Sequence, residues 1–148
     1  LSGLNLYAGA STIEIESGAS DGSEDKYEGV AAVVYALGPV EAGWMISGLY
    51  DGTQTGVHSY KNTGFGVAFN VNDDLSVSYG EYKSRKAGYD GPTDVGDDIN
   101  RIVEVTSWQA AYTMGGASFR VADVKVDNAL FSATSDLNAT VISMSLAF

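Results

Sequence analysis

Ala139-Thr-Val-Ile-Ser-Met-Ser-Leu-Ala-Phe148 closes the chain and sets its fold class. Side chains of an extended strand alternate between two faces, so Thr140, Ile142, Met144, Leu146 and Phe148 share one face, and Ala139, Val141, Ser143, Ser145 and Ala147 the other. One face is bulky and apolar, the other small. Domain termini normally trail into solvent, whereas this sequence stops on an aromatic ring.

Working back from that strand, the same alternation recurs. Phe65, Val67, Phe69 and Val71 oppose Gly64, Gly66, Ala68 and Asn70; Leu75, Val77 and Tyr79 oppose Ser76, Ser78 and Gly80. Ala31, Val33, Tyr35 and Leu37 form another bulky set, as do Trp44, Ile46 and Tyr50, then Trp108, Ala110 and Tyr112, then Ala117, Phe119 and Val121. The pattern predicts strands at 4–16, 27–37, 42–50, 62–71, 75–84, 102–113, 117–126 and 139–148. Connections alternate between short turns, such as Asn72-Asp-Asp74 and Met114-Gly-Gly116, and longer loops, among them 85–101 and 127–138. Short and long connections therefore lie at opposite ends of one all-β, antiparallel sheet.

Composition narrows the options. The 148 residues are 45% hydrophobic and 11% aromatic, which excludes a disordered chain. No stretch approaches the roughly 20 apolar residues of a transmembrane helix, so a membrane would have to be crossed by strands. Cysteine is absent, which removes disulfides and thiol chemistry. With a net charge of −11 and eight Lys and Arg, nucleic acid is not an expected partner. The absence of an initiator Met and of a signal peptide favours reading Leu1 as an internal residue of a longer protein. Acids gather in Ser20–Lys26 and Asp90–Asp98, both rich in Gly and Ser and read as exposed loops.

The small face argues against a soluble sandwich, whose solvent face should be dense in charge. Here it carries Gly, Ala, Ser, Asn and Gln. Such residues would under-fill an eight-stranded barrel but suit the wall of a wider, water-filled one. At this point the terminal strand resembles that of Gram-negative outer-membrane β-barrels, where a final Phe after alternating apolar residues is read by the barrel-assembly machinery. The whole chain, through segments such as Val71-Asn-Asp-Asp-Leu-Ser-Val-Ser-Tyr79 and Ala111-Tyr-Thr-Met-Gly-Gly-Ala117, resembles the C-terminal half of a general diffusion porin. That resemblance implies a 16-stranded transmembrane barrel in the bacterial outer membrane, a homotrimer passing small hydrophilic solutes and ions by passive diffusion. Outer-membrane lipid and lipopolysaccharide would surround it, and Phe148, Leu146 and Met144 would be its assembly signal. The lumenal constriction of the family comes largely from a loop of the N-terminal half, and the sequence presents no evident counterpart.

Two residue sets follow. Tyr27, Tyr35, Trp44, Tyr50, Trp108 and Tyr112 fall near strand ends, as interfacial girdles require, although aromatics in strands also fill soluble cores. Arg120, opposite in parity to Phe119 and Val121, is expected to face a lumen and bias ion passage, the alternative being a structural ion pair with an acid such as Asp123. Asn5, Tyr7, Ser47, Asn70, Ser76, Ser78, Ser107, Gln109, Ser118, Ser143 and Ser145 are expected to line the same wall.

Catalysis finds little support. His58 is the sole histidine, is read as a loop residue and has no triad partner in the pattern; one His without Cys does not make a zinc site. Asp90–Asp98 offers oxygen ligands for weak Ca²⁺ binding but lacks the spacing of an EF-hand loop, so no cofactor is expected. Two other classes stay open: a complete eight-stranded outer-membrane barrel with an anchoring, adhesive or structural role, and a soluble ligand-binding β-protein.

Overall fold

The computed structural model describes residues 2–15, 25–51, 56–89 and 101–147. Eight strands form one antiparallel sheet in simple chain order: β1 (Leu4–Ile13), β2 (Lys26–Leu37), β3 (Val40–Tyr50), β4 (Gly56–Asn70), β5 (Leu75–Tyr89), β6 (Arg101–Met114), β7 (Ala117–Asp127) and β8 (Leu137–Leu146). The sheet is open: β1 pairs only with β2, and β8 only with β7. One helical turn, Ala129–Phe131, interrupts the β7–β8 connection.

Short-turn chemistry explains the hairpins at one end. Gly115 and Gly116 both take positive φ, 58° and 96°, between β6 and β7, a conformation that matches the twist of a two-residue hairpin and that side chains resist. At the β4–β5 turn the Asn72 Oδ1 accepts hydrogen bonds from the backbone N–H groups of Asp74 (2.9 Å) and Leu75 (2.8 Å), so the side chain stands in for a backbone turn.

Ladder register carries the alternation across the whole sheet. One row of directly opposed residues runs Tyr7, Ala32, Met45, Gly64, Tyr82, Val105, Val126, Leu137 from β1 to β8. Its counterpart on the other face runs Leu6, Val33, Trp44, Phe65, Glu81, Thr106, Lys125, Asn138. Leu6 lies two residues inside β1 and Asn138 eight residues from the end of β8, both measured from the short-turn side. With strands about 4.8 Å apart and about 3.3 Å per residue, this climb tilts the strands by about 30°, the kind of stagger a closing barrel needs.

Three sequence expectations are corrected. Strands β4 and β5 run well past the expected 62–71 and 75–84 at their long-loop ends. Lys61, Arg85 and Lys86 break the apolar alternation there, yet the ladder continues, pairing Lys61 with Arg85 and Tyr60 with Lys86. His58, expected in a loop, belongs to β4, where the register shifts between Val57 and Ser59 and leaves it as the extra residue of a bulge. Strand β1 is shorter than expected, ending at Ile13.

The sheet has no core of its own. Among the described residues only Ala129 is buried, while the apolar face lies open, with Ile142 79% and Trp108 65% exposed. The chain exposes 10122 Å², against about 7,200 Å² for a compact soluble monomer of this size.

Candidate functional site

The side chains that matter follow from the register. Asn70, Ser76, Ala111, Arg120 and Ser143 form one continuous row on the small face, with Ala68, Ser78, Gln109 and Ala122 in the row beside it. Asn5 and Ser107 share a row through Val34, Gly43, Gly66 and Gly80, and Tyr7 lies in the next. Ser47 pairs across to Asn62, whose Nδ2 donates to the Ser47 Oγ at 3.1 Å. Ser118 opposes Thr113 and Ser145, and the Thr113 hydroxyl donates to the Ser118 Oγ at 3.2 Å. Every residue expected on the lining wall thus falls on one face of the sheet. A concavity of about 660 Å³ lies against this face, lined by Tyr7, Met45, Tyr82, Ser107 and Gln109 among others from β1 to β6. Gly64 permits the close packing at its centre: a Cβ there would stand 2.9 Å from the Met45 Cγ.

All six expected girdle aromatics lie on the opposite, bulky face. Tyr27 and Tyr50 are register partners with ring centroids 6.4 Å apart, near the long-loop end of β2 and β3. Tyr35 and Tyr112 lie near the short turns, but Trp44 and Trp108 sit mid-strand in β3 and β6 rather than at the expected strand ends, Trp108 packing on Tyr79 with centroids 4.6 Å apart and planes tilted by 50°. Met144 and Leu146 share this bulky face, exposed; Phe148 lies outside the described residues.

On β5, β6 and β7 the acids all fall on the bulky face, Glu81 near mid-strand in β5 and Glu104, Asp123 and Asp127 in the long-loop half, interspersed with the cations Lys83, Arg85 and Lys125. There Lys83 pairs with Glu104 at 3.1 Å and Lys125 with Asp127 at 2.9 Å. Glu81 accepts a short hydrogen bond from the Tyr79 hydroxyl, and the Thr140 hydroxyl donates to Asp123 at 3.1 Å. Asp123 therefore faces away from Arg120, which removes it as the partner of that guanidinium. Among the described residues of β4 to β8, the small face carries Lys86, Arg101 and Arg120 and no acid. In a chain with net charge −11, the charged residues described on this face of these five strands are thus all cations. Acids return on that face at Glu28 and Glu41 of β2 and β3.

Compared with family models, curated proteins and solved structures, the chain matches none.

The β7–β8 connection is the part that sequence reasoning missed. Instead of standing off the sheet end, it bends back over the small face toward β4. The Phe131 ring packs on Tyr60 with centroids 6.0 Å apart, the Lys86 Nζ sits 5.3 Å from the centre of the same ring, and the Arg101 guanidinium donates to the Phe131 carbonyl at 3.2 Å. Tyr60, Lys86 and Arg101 are direct register neighbours on β4, β5 and β6. Asn128 anchors the near end: its side-chain amide donates to the Ile102 carbonyl at 3.1 Å and its backbone N–H donates to the Asp136 Oδ1 at 3.1 Å. Asn128, Leu130 and Phe131 all have positive φ, 56°, 56° and 59°, a conformation that costs roughly 1–3 kcal/mol per non-glycine residue and persists only where contacts hold it. The available signal was an apolar pair, Leu130-Phe131, inside an otherwise polar connection.

Among the described residues no three acidic or histidine side chains gather as metal ligands, and Asp90–Asp98 lies outside those residues.

Proposed function

We propose that this sheet is part of the wall of an outer-membrane channel, its bulky face against lipid and its small face toward a water-filled lumen through which small hydrophilic solutes and ions diffuse. The observation that carries the reading is the pairing of an uncovered aromatic and aliphatic face with an opposite face of Gly, Ser, Asn, Gln and cations. Neither face suits a soluble domain: the first needs an apolar medium and the second needs water. The open edges at β1 and β8 favour a sheet completed by further strands, as in a 16-stranded barrel, over an eight-stranded anchor.

The bulky face is apolar along the full length of β2 and β3, but only over the short-turn half of β5 to β8. Hydrocarbon needs a band of about 25 Å, so on this reading the charged half of β5 to β7 meets water or another subunit, which supports a trimer contact on that side.

Reconstitution of the full chain, with the strands that complete the barrel, into planar bilayers tests the reading. Stepwise conductance increments with an ohmic, salt-proportional open state are expected. A chain that stays soluble without detergent and yields no increments overturns it.

A further inference from the structure

The Asn128–Asp136 connection has more contacts than a surface loop needs and the wrong direction for one. It crosses from the β7–β8 edge to β4 on the small face. Its short internal bonds, Ala129 N–H to the Ser135 carbonyl at 2.6 Å and Ser132 N–H to the Ala129 carbonyl at 3.1 Å, make it a compact knuckle. Ala129 at its base is buried, whereas Leu130 at its tip is 91% exposed. On the same face, the long-loop half of β6 to β8 presents Val105, Val126 and Leu137, an aliphatic row unlike the serines nearer the short turns.

We propose that Asn128–Asp136 is a lumenal constriction supplied by this chain itself, docked through Phe131, with Leu130 and Phe131 setting the size limit and Lys86 and Arg101 giving it a preference for anions. This rests on the channel reading and adds to it where the narrowing is and which solutes it favours. Docking fixes the charges as well as the backbone. Phe131 holds one cation against its ring and the other against its carbonyl, so both stay at the narrowing. Among the described residues the small face of β4 to β8 carries no acid, and Asp136, the one acid of the knuckle itself, accepts from the Asn128 N–H. Three residues in left-handed backbone conformations would relax if the docking contacts were lost, so the constriction depends on Phe131 in particular.

The test uses the full chain, with the strands that complete the barrel, in planar bilayers. Phe131→Ala should raise single-channel conductance and admit larger polyethylene glycols than the wild type, while Phe131→Trp should lower both. Lys86→Gln with Arg101→Gln should shift the reversal potential in a KCl gradient toward cation preference. Channels whose conductance and polymer cut-off are the same in the wild type and both Phe131 variants overturn the constriction alone. Absence of channels from the wild type overturns the channel reading, and the constriction falls with it.

Discussion

Ile46→Arg should separate a lipid-facing sheet from a soluble one. Ile46 lies on the bulky face of β3, in register with Ala31 and Thr63, six residues from the strand start at Val40. At about 3.3 Å per residue and the tilt of about 30°, that places it about 17 Å above the short-turn end, within about 5 Å of the middle of a 25 Å apolar band. An arginine there should destabilise by roughly 2–4 kcal/mol, a factor of about 30 to 1,000 in the folding equilibrium. Val40→Arg, on the same face at the strand end, should cost only about 0–1 kcal/mol because the head group is within reach. Ser47→Arg, one residue on but facing the other way, loses the hydrogen bond from Asn62, worth about 1 kcal/mol. Urea titration of the full chain folded into lipid vesicles measures all three, with Trp44 and Trp108 on the bulky face as fluorescent reporters. Depth dependence is the discriminating result. If Ile46→Arg and Val40→Arg cost the same, or Ser47→Arg costs the most, the bulky face is not against hydrocarbon.

Three further outcomes are expected. Arg120→Glu should move the reversal potential in a salt gradient toward cation preference, more at low than at high ionic strength, since mobile ions screen the field over about 10 Å at 0.1 M; unchanged selectivity at low salt makes Arg120 a wall residue only. Deleting Phe148, or replacing it by Asp, should reduce the amount of protein assembled in the outer membrane far more than the conductance of what does assemble, as read by heat-modifiable mobility of membrane fractions. Gly3→Ala should weaken the start of β1 more than Gly38→Ala weakens the β2–β3 turn. Both positions have positive φ, but a Cβ at Gly3 would stand 2.2 Å from the Ala36 carbonyl oxygen and one at Gly38 meets nothing, a contrast that thermal unfolding of the two variants can read.

Much of this protein is written in its period-two alternation, because a strand's two faces are decided by local geometry alone. The eight strands, their antiparallel order, the short and long ends, and the sharing of one face by Asn70, Ser76, Arg120 and Ser143 all follow from which residues alternate with which. Where the alternation is interrupted, the reading stopped early: Lys61, Arg85 and Lys86 look like loop residues, yet backbone pairing carries β4 and β5 through them, since ladder hydrogen bonds do not depend on side-chain polarity. What only the tertiary structure decided are relations between strands. Confinement of the acids of β5, β6 and β7 to one face needs the register of those strands, not their separate sequences. The inward fold of Asn128–Asp136 needs three left-handed residues held by Tyr60, Lys86 and Arg101, groups drawn from three other strands. No local pattern specifies a conformation that is unfavourable in isolation and becomes stable only when distant side chains meet it.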